Sequence, residues 1–141
     1  MIKEITKFIE SKTLFVINAD LFAGHRPEGA PDRCQVVLES SGGSIISDLP
    51  DRADMVIQIL SRGNPKYYFQ PRDDAWTIYD ALFRNHPYGS AGWTLPVIIP
   101  GKEYEAMVII PLAIPQNIGQ DEKLRWEFST NYIVKIRDKN A

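Results

Sequence analysis

The sequence predicts an α+β domain, a mostly antiparallel twisted sheet of about five strands with two helices packed on one face. Three observations carry this reading. Apolar residues switch between alternating and helical spacing in the order helix, strand, strand, helix, strand, strand, strand. From residue 126 onward, Trp126, Phe128, Thr130, Tyr132, Val134 and Ile136 point one way, and Arg125, Glu127, Ser129, Asn131 and Lys135 point the other. That is the pattern of a long, half-buried strand with a polar outer face. Finally, 141 residues at 44% hydrophobic and 24% charged suffice for one core and are too apolar for a disordered chain. A single domain spans 1–141, with no internal repeat and no linker.

Ile2, Ile5, Phe8 and Ile9 fall at helical spacing with Lys3, Glu4, Lys7 and Glu10 around the other side, so the chain opens on an amphipathic helix that packs against the sheet. A short extended piece at 14–17 leads into a surface connection over 20–31, marked by two glycines and two prolines. Residues 34–39 form a strand. Residues 40–54 are rich in Ser, Gly and Asp around an isolated Ile45-Ile46 pair and predict a long excursion between strands. The stretch 53–62 alternates, with Met55, Ile57 and Ile59 on one face and Val56 and Leu60 flanking Gln58 on the other, as in a central strand. After the Gly63-Asn64-Pro65 break, Asp73-Asp74 supply cap chemistry for a second helix with Ala75, Trp76, Tyr79, Leu82 and Phe83 at i, i+3, i+4 spacing, ended by His86-Pro87. Strands at 93–99 and 104–112 are joined through Pro100-Gly101-Lys102-Glu103, a hairpin turn. Pro111 and Pro115 place the end of the fifth strand at a sheet edge or splay it outward, before a loop at 116–123.

A formal net charge of −2 and a pI near 5.7 give no electrostatic case for gripping nucleic acid. Cys34 is the single cysteine, so no intrachain disulfide forms, and its apolar run predicts burial and a reducing compartment. No run approaches the ~20 apolar residues of a membrane span, so neither secretion nor membrane insertion is supported. Gly42-Gly43 lacks the following Lys-Ser or Lys-Thr of a phosphate loop, and His25 and His86 have no local ligand pair for a metal. Helix capping and a solvated hairpin tip account for the carboxylate pairs Asp73-Asp74 and Asp121-Glu122, and core packing for Trp76, Trp93 and Trp126. No enzyme chemistry and no cofactor are expected.

Short landmarks run through the chain: Asp20-Leu21-Phe22-Ala23-Gly24 with Pro27, then Asp48-Leu49-Pro50, then Ile78-Tyr79-Asp80-Ala81-Leu82. Gly119-Gln120-Asp121-Glu122 follows, with Arg125-Trp126-Glu127-Phe128-Ser129 and Asn131. In this order they resemble the phage minor capsid proteins related to tail terminators of long-tailed phages. The resemblance implies a virion structural protein of the tail and neck, assembled in the bacterial host cytoplasm. It would form a homo-hexameric ring at the head-proximal end of the tail tube, with the major tail tube protein and a head connector or stopper protein as partners. DNA would pass through the lumen without specific binding. On this reading, Ile45, Ile46, Asp48 and Asp51 of the long excursion and Asn117, Gln120, Asp121 and Glu122 of the hairpin loop contact tube or neck. Arg125 and Glu127, on the polar strand face, contact neighbours in the ring. A head completion or stopper protein of the same neck stays open as an alternative, as does, from another class, a small host enzyme or ligand-binding domain.

Overall fold

The computed structural model describes residues 1–45, 52–84, 95–99 and 102–138. In chain order they form α1 (Ile2–Lys12), β1 (Leu21–Ala23), β2 (Cys34–Ile45), β3 (Arg52–Arg62) and α2 (Phe69–Tyr79). A π-helical turn over Asp80–Arg84 follows, then β4 (Leu95–Ile99), β5 (Lys102–Pro111), β6 (Gln116–Gln120) and β7 (Trp126–Asp138). The fold is α+β. Seven strands make one sheet in the order β1-β2-β3-β7-β5-β4, with β6 paired to β7 beside β5, and every pairing is antiparallel except β1 with β2.

β7 is the spine of this sheet. Along one side it pairs with the whole of β3, from Arg62↔Glu127 to Arg52↔Arg137. Along the other it pairs with β6 through Trp126–Ser129 and with β5 from Tyr132 onward. Phe128, Thr130, Tyr132, Val134 and Ile136 are buried as the alternation predicts, while Ser129, expected on the outer face, is buried too and accepts a hydrogen bond from Gln58 Nε2 at 2.9 Å. Tyr132, Val134 and Ile136 join Ile57 and Ile59 of β3, Ala106 and Ile109 of β5, Ile5 and Ile9 of α1 and Ile78 of α2 in one core cluster. Burying each such aliphatic side chain contributes about 1.5–3 kcal/mol, so this cluster dominates the fold. A smaller cluster of Phe22, Cys34 and Val36 lies across β2 from Val37, which belongs to the main core, as strand alternation requires.

The sheet exceeds the five strands expected, because two segments that read as connections are strands. β1 occupies part of the predicted surface stretch 20–31; Gln35 N–H donates to Asp20 O at 2.7 Å and fixes the parallel pairing. β6 occupies most of the predicted loop 116–123, drawn into the sheet by its turn to β7. The excursion assigned to 40–54 is also shorter. β2 runs on to Ile45, crossing a register shift between Ser40 and Ser44, and Ile45 pairs with Ala53. Only 46–51 remain between the strands, and they lie outside the described residues.

α2 starts at Phe69, ahead of Asp73-Asp74, so these carboxylates do not cap it; Tyr68 holds the N-cap position without a side-chain cap bond. Pro71 sits in the first turn, where a missing N–H costs nothing. The predicted stop at His86-Pro87 lies outside the described residues, as do Trp93 and Thr94. β4 and β5 pair antiparallel with Ile99 opposite Lys102; Lys102 and Glu103, expected in the turn, belong to β5, and Pro100 and Gly101 lie outside the described residues. β4 covers β5 only as far as Ala106, so Pro111, which has no N–H to donate, ends β5 where no described strand faces it from the far side.

Candidate interaction surface

The hairpin of β6 and β7 is built on one carboxylate. Asp121 Oδ1 accepts the backbone N–H groups of Lys123 and Arg125, each at 3.0 Å, and Asp121 Oδ2 accepts Arg125 Nε at 2.8 Å. Burial pushes the Asp121 carboxyl up, but the donors from the Arg125 backbone, its guanidinium and the Lys123 backbone outweigh it and hold the carboxyl below its ordinary value. Leu124 takes a left-handed φ of 61° to close this turn, and Gly119 takes φ 100° at the register shift in β6.

Charged groups then tie the hairpin to the connection between β1 and β2. Arg125 Nη1 donates to Asp32 Oδ1 at 3.0 Å, and Arg26 Nη1 donates to Glu127 Oε1 at 3.0 Å. Burial lowers the Arg125 pKa less than its bonds to Asp32 and Asp121 raise it, so the guanidinium is held above its usual value. Arg62 is 5% exposed and donates to the carbonyls of Asp32 and Pro31, both at 3.0 Å. Burial is the main cause that lowers its pKa, with neighbouring Arg26 and Arg125 adding to it.

Beside this pinned hairpin lies an aromatic cluster. The Tyr68 ring meets Trp126, Phe69 and Phe128 edge-on with centroids 5.1, 5.3 and 5.8 Å away, and Asn117 Nδ2 donates to the Tyr68 hydroxyl at 3.4 Å. The Arg72 guanidinium lies 4.9 Å from the centre of the Phe69 ring. A surface cleft of about 440 Å³ is lined by Lys66, Tyr67, Tyr68, Phe69 and Gln70. Tyr67, Phe69, Leu112, Ile114, Ile118 and Leu124 are each more than half exposed. Single exposed apolar residues are ordinary; Tyr67 and Phe69 stand out because they flank Tyr68 and line one cleft with it.

No protein-family model and no curated protein matches the chain.

Of the residues singled out from sequence, the structure brings six together. Asn117 and Gln120 lie on β6, Asp121 and Glu122 in the turn, Arg125 just before β7 and Glu127 at its start. Gln120 Nε2 donates to Leu124 O at 3.1 Å, so it too braces the turn. Arg125 and Glu127 both have charged partners within the chain. Ile45 is elsewhere. It pairs with Ala53, which pairs with Ile136, nine residues along β7 from Glu127, or roughly 30 Å at strand rise. Ile46, Asp48 and Asp51 lie outside the described residues.

The apolar part of the surface was not singled out from sequence, although it left a signal there. Lys66-Tyr67-Tyr68-Phe69 puts three aromatics in the connection before a helix, and Leu112-Ala113-Ile114 stands between two prolines. Neither run fits a strand or helix period, which is what marks them as presented outward. Among the described residues no group of His, Cys, Asp or Glu could hold a metal ion, and no helix is long and apolar enough to cross a membrane. The arrangement can bury apolar surface against a partner, and the ion pairs around it set the position of the hairpin.

Proposed function

We propose that this chain is a virion structural protein that caps the head-proximal end of a long-tailed phage tail tube as a hexameric ring, ending tube growth and joining the tail to the head. The observation that supports the reading best is the β6–β7 hairpin. The stretches behind the resemblance, from Gly119 to Glu122 and from Arg125 to Asn131, fall together in it, and Asp121 and Arg125 fix its shape through hydrogen bonds of 2.8 and 3.0 Å. A ring subunit that joins two assemblies needs a rigid body with a separate contact at each end. Here the start of β7 at Glu127, next to the hairpin, and the Ile45–Ala53 pair at the other end of the sheet lie roughly 30 Å apart.

In this reading one end meets the major tail tube protein and the other the head connector or stopper. The net charge of −2 suits a lumen through which DNA passes without being held. The ring assembles in the host cytoplasm and remains in the neck of the virion. The test combines native mass spectra over a wide concentration range with electron microscopy of purified tail tubes mixed with the protein. Six-membered rings seated at one end of the tubes are expected. Protein that neither forms a ring nor binds tube ends overturns the proposal.

A further inference from the structure

We infer that residues 25–32 form a latched strap that lifts from the sheet as a unit while the sheet stays folded, and so controls access to Cys34 and the small apolar cluster around it. That cluster, Phe22, Cys34 and Val36, lies on the face of β2 turned away from the main core. Ala30 of the strap packs against it. Arg62, the cross-strand neighbour of Cys34, donates to the carbonyls of Pro31 and Asp32. With the strap in place Cys34 is fully buried.

The strap is held differently from the sheet beside it. None of residues 25–32 is itself buried. Among the described residues, its one backbone-to-backbone hydrogen bond is internal, from Ala30 N–H to Pro27 O at 3.1 Å, so no backbone bond joins it to the sheet. Its roots are fixed. Gly24 N–H donates to Val37 O at 2.8 Å on one side, and Arg33 is paired with Asp74 on the other. Between these roots the strap is held by the Ala30 contact and by side-chain bonds, Arg26 to Glu127, Arg125 to Asp32 and Arg62 to the two carbonyls.

Closure also carries costs that the open strap escapes. Arg26 Nε and Nη2, two donors on one edge of its guanidinium, are buried without an acceptor among the described residues. Arg62 is buried against carbonyl groups, with no carboxylate among its described hydrogen-bond partners. Lifting the strap hydrates both guanidiniums, which offsets part of what the latch loses. The main core around Ile57, Ile59, Tyr132 and Val134 takes no part, so opening requires far less free energy than global unfolding. Strap and hairpin share this latch: opening frees Glu127 and leaves Arg125 with Asp121 as its carboxylate partner. The inference does not depend on the phage reading.

Alkylation of Cys34 by N-ethylmaleimide, read by intact mass on the full chain, tests it, with global stability measured in parallel by urea unfolding. Cys34 should react at least about 100-fold faster than the population of globally unfolded chain allows. Ile109→Val, on β5 and separated from β2 by β3 and β7, should lower the urea midpoint and leave the labelling rate unchanged. Glu127→Gln with Asp32→Asn should speed labelling about tenfold with unchanged circular dichroism. Labelling no faster than global unfolding, labelling that rises in Ile109→Val as the midpoint falls, or labelling unmoved by the latch variant overturns the inference. Tube capping and ring formation are read in their own assays, so failure of the strap and failure of the proposed function are distinguished.

Discussion

Asp73 and Asp74 are adjacent, identical side chains on α2, and the fold predicts very different costs for deleting them. Asp74 is buried at 4% exposure. It accepts both arms of Arg33, Nε at 2.9 Å and Nη2 at 2.8 Å, and the Gln35 amide at 3.1 Å. The hydrogen bond to Asp74 is the main cause that raises the Arg33 pKa. Asp74→Ala removes all of this. The arm to Arg33 is screened because that side chain is 50% exposed, so its loss costs about 1 kcal/mol. Gln35 is fully buried, and stranding its amide costs about 1–3 kcal/mol more. The sum is about 3 kcal/mol, which lowers the melting temperature by roughly 9 °C for a chain of this length. Asp73 is 67% exposed and its Arg72 partner is 3.5 Å away, so Asp73→Ala should stay within about 0.5 kcal/mol of wild type. Calorimetric melting of wild type and both variants is the assay, with Asp74→Asn expected between them because it retains an acceptor for Gln35. Equal, small shifts for Asp73→Ala and Asp74→Ala would refute the reasoning.

Other outcomes follow from the hairpin and its surroundings. Because Asp121 is held below its ordinary 3.8, its stabilising effect should be complete above that value and be lost only as the pH falls further, through the lower folded value. An NMR titration of the Asp121 carboxyl with a midpoint at or above 3.8 would contradict the hydrogen bonding described. Gly63→Ala places a Cβ 2.5 Å from Pro71 Cδ at the start of α2, so it should cost about 1–3 kcal/mol in a denaturant melt; a change below 0.5 kcal/mol would mean the helix start yields freely. Leu124→Asn should raise stability by about 1 kcal/mol, since asparagine tolerates the left-handed φ that leucine holds at 61°. A lower melting temperature would show that the Leu124 side chain serves the fold instead.

Asp74 also shows where the sequence was readable and where it was not. The acidic pair was visible, and so was a helix after it. Which carboxylate turns inward depends on helix phase, and the phase was lost because α2 begins at Phe69. Arg33 lies 41 residues away, a separation at which no local pattern speaks. β3 and β7 were legible because each is long and buries one face, which imposes strict alternation on the residues. β6 was not, since Gln116-Asn117-Ile118-Gly119-Gln120 has no period of its own and becomes a strand only because β7 offers an open side and Asp121 closes the turn. The end of β2 failed for a related reason. Ser41-Gly42-Gly43-Ser44 has loop composition, yet pairing resumes across the register shift because β3 extends far enough to meet it.

The exposed apolar surface is informative because of what holds it. Apolar side chains on a loose loop could fold back onto the domain and would say little about partners. Those here sit on braced backbone: Leu112 is anchored by Asn131, Leu124 is held in a left-handed conformation by the Asp121 turn, and Tyr68 is wedged between Phe69 and Trp126. Arg125, Asp32, Arg26 and Glu127 meanwhile use their charges inside the chain to fix the hairpin against its neighbours. Ion pairs of this kind contribute little net stability, but they restrict the geometry, and rigidity reduces the ordering cost when a partner arrives. Charge therefore fixes where the hairpin points, and the apolar side chains beside it are presented on backbone that is already ordered.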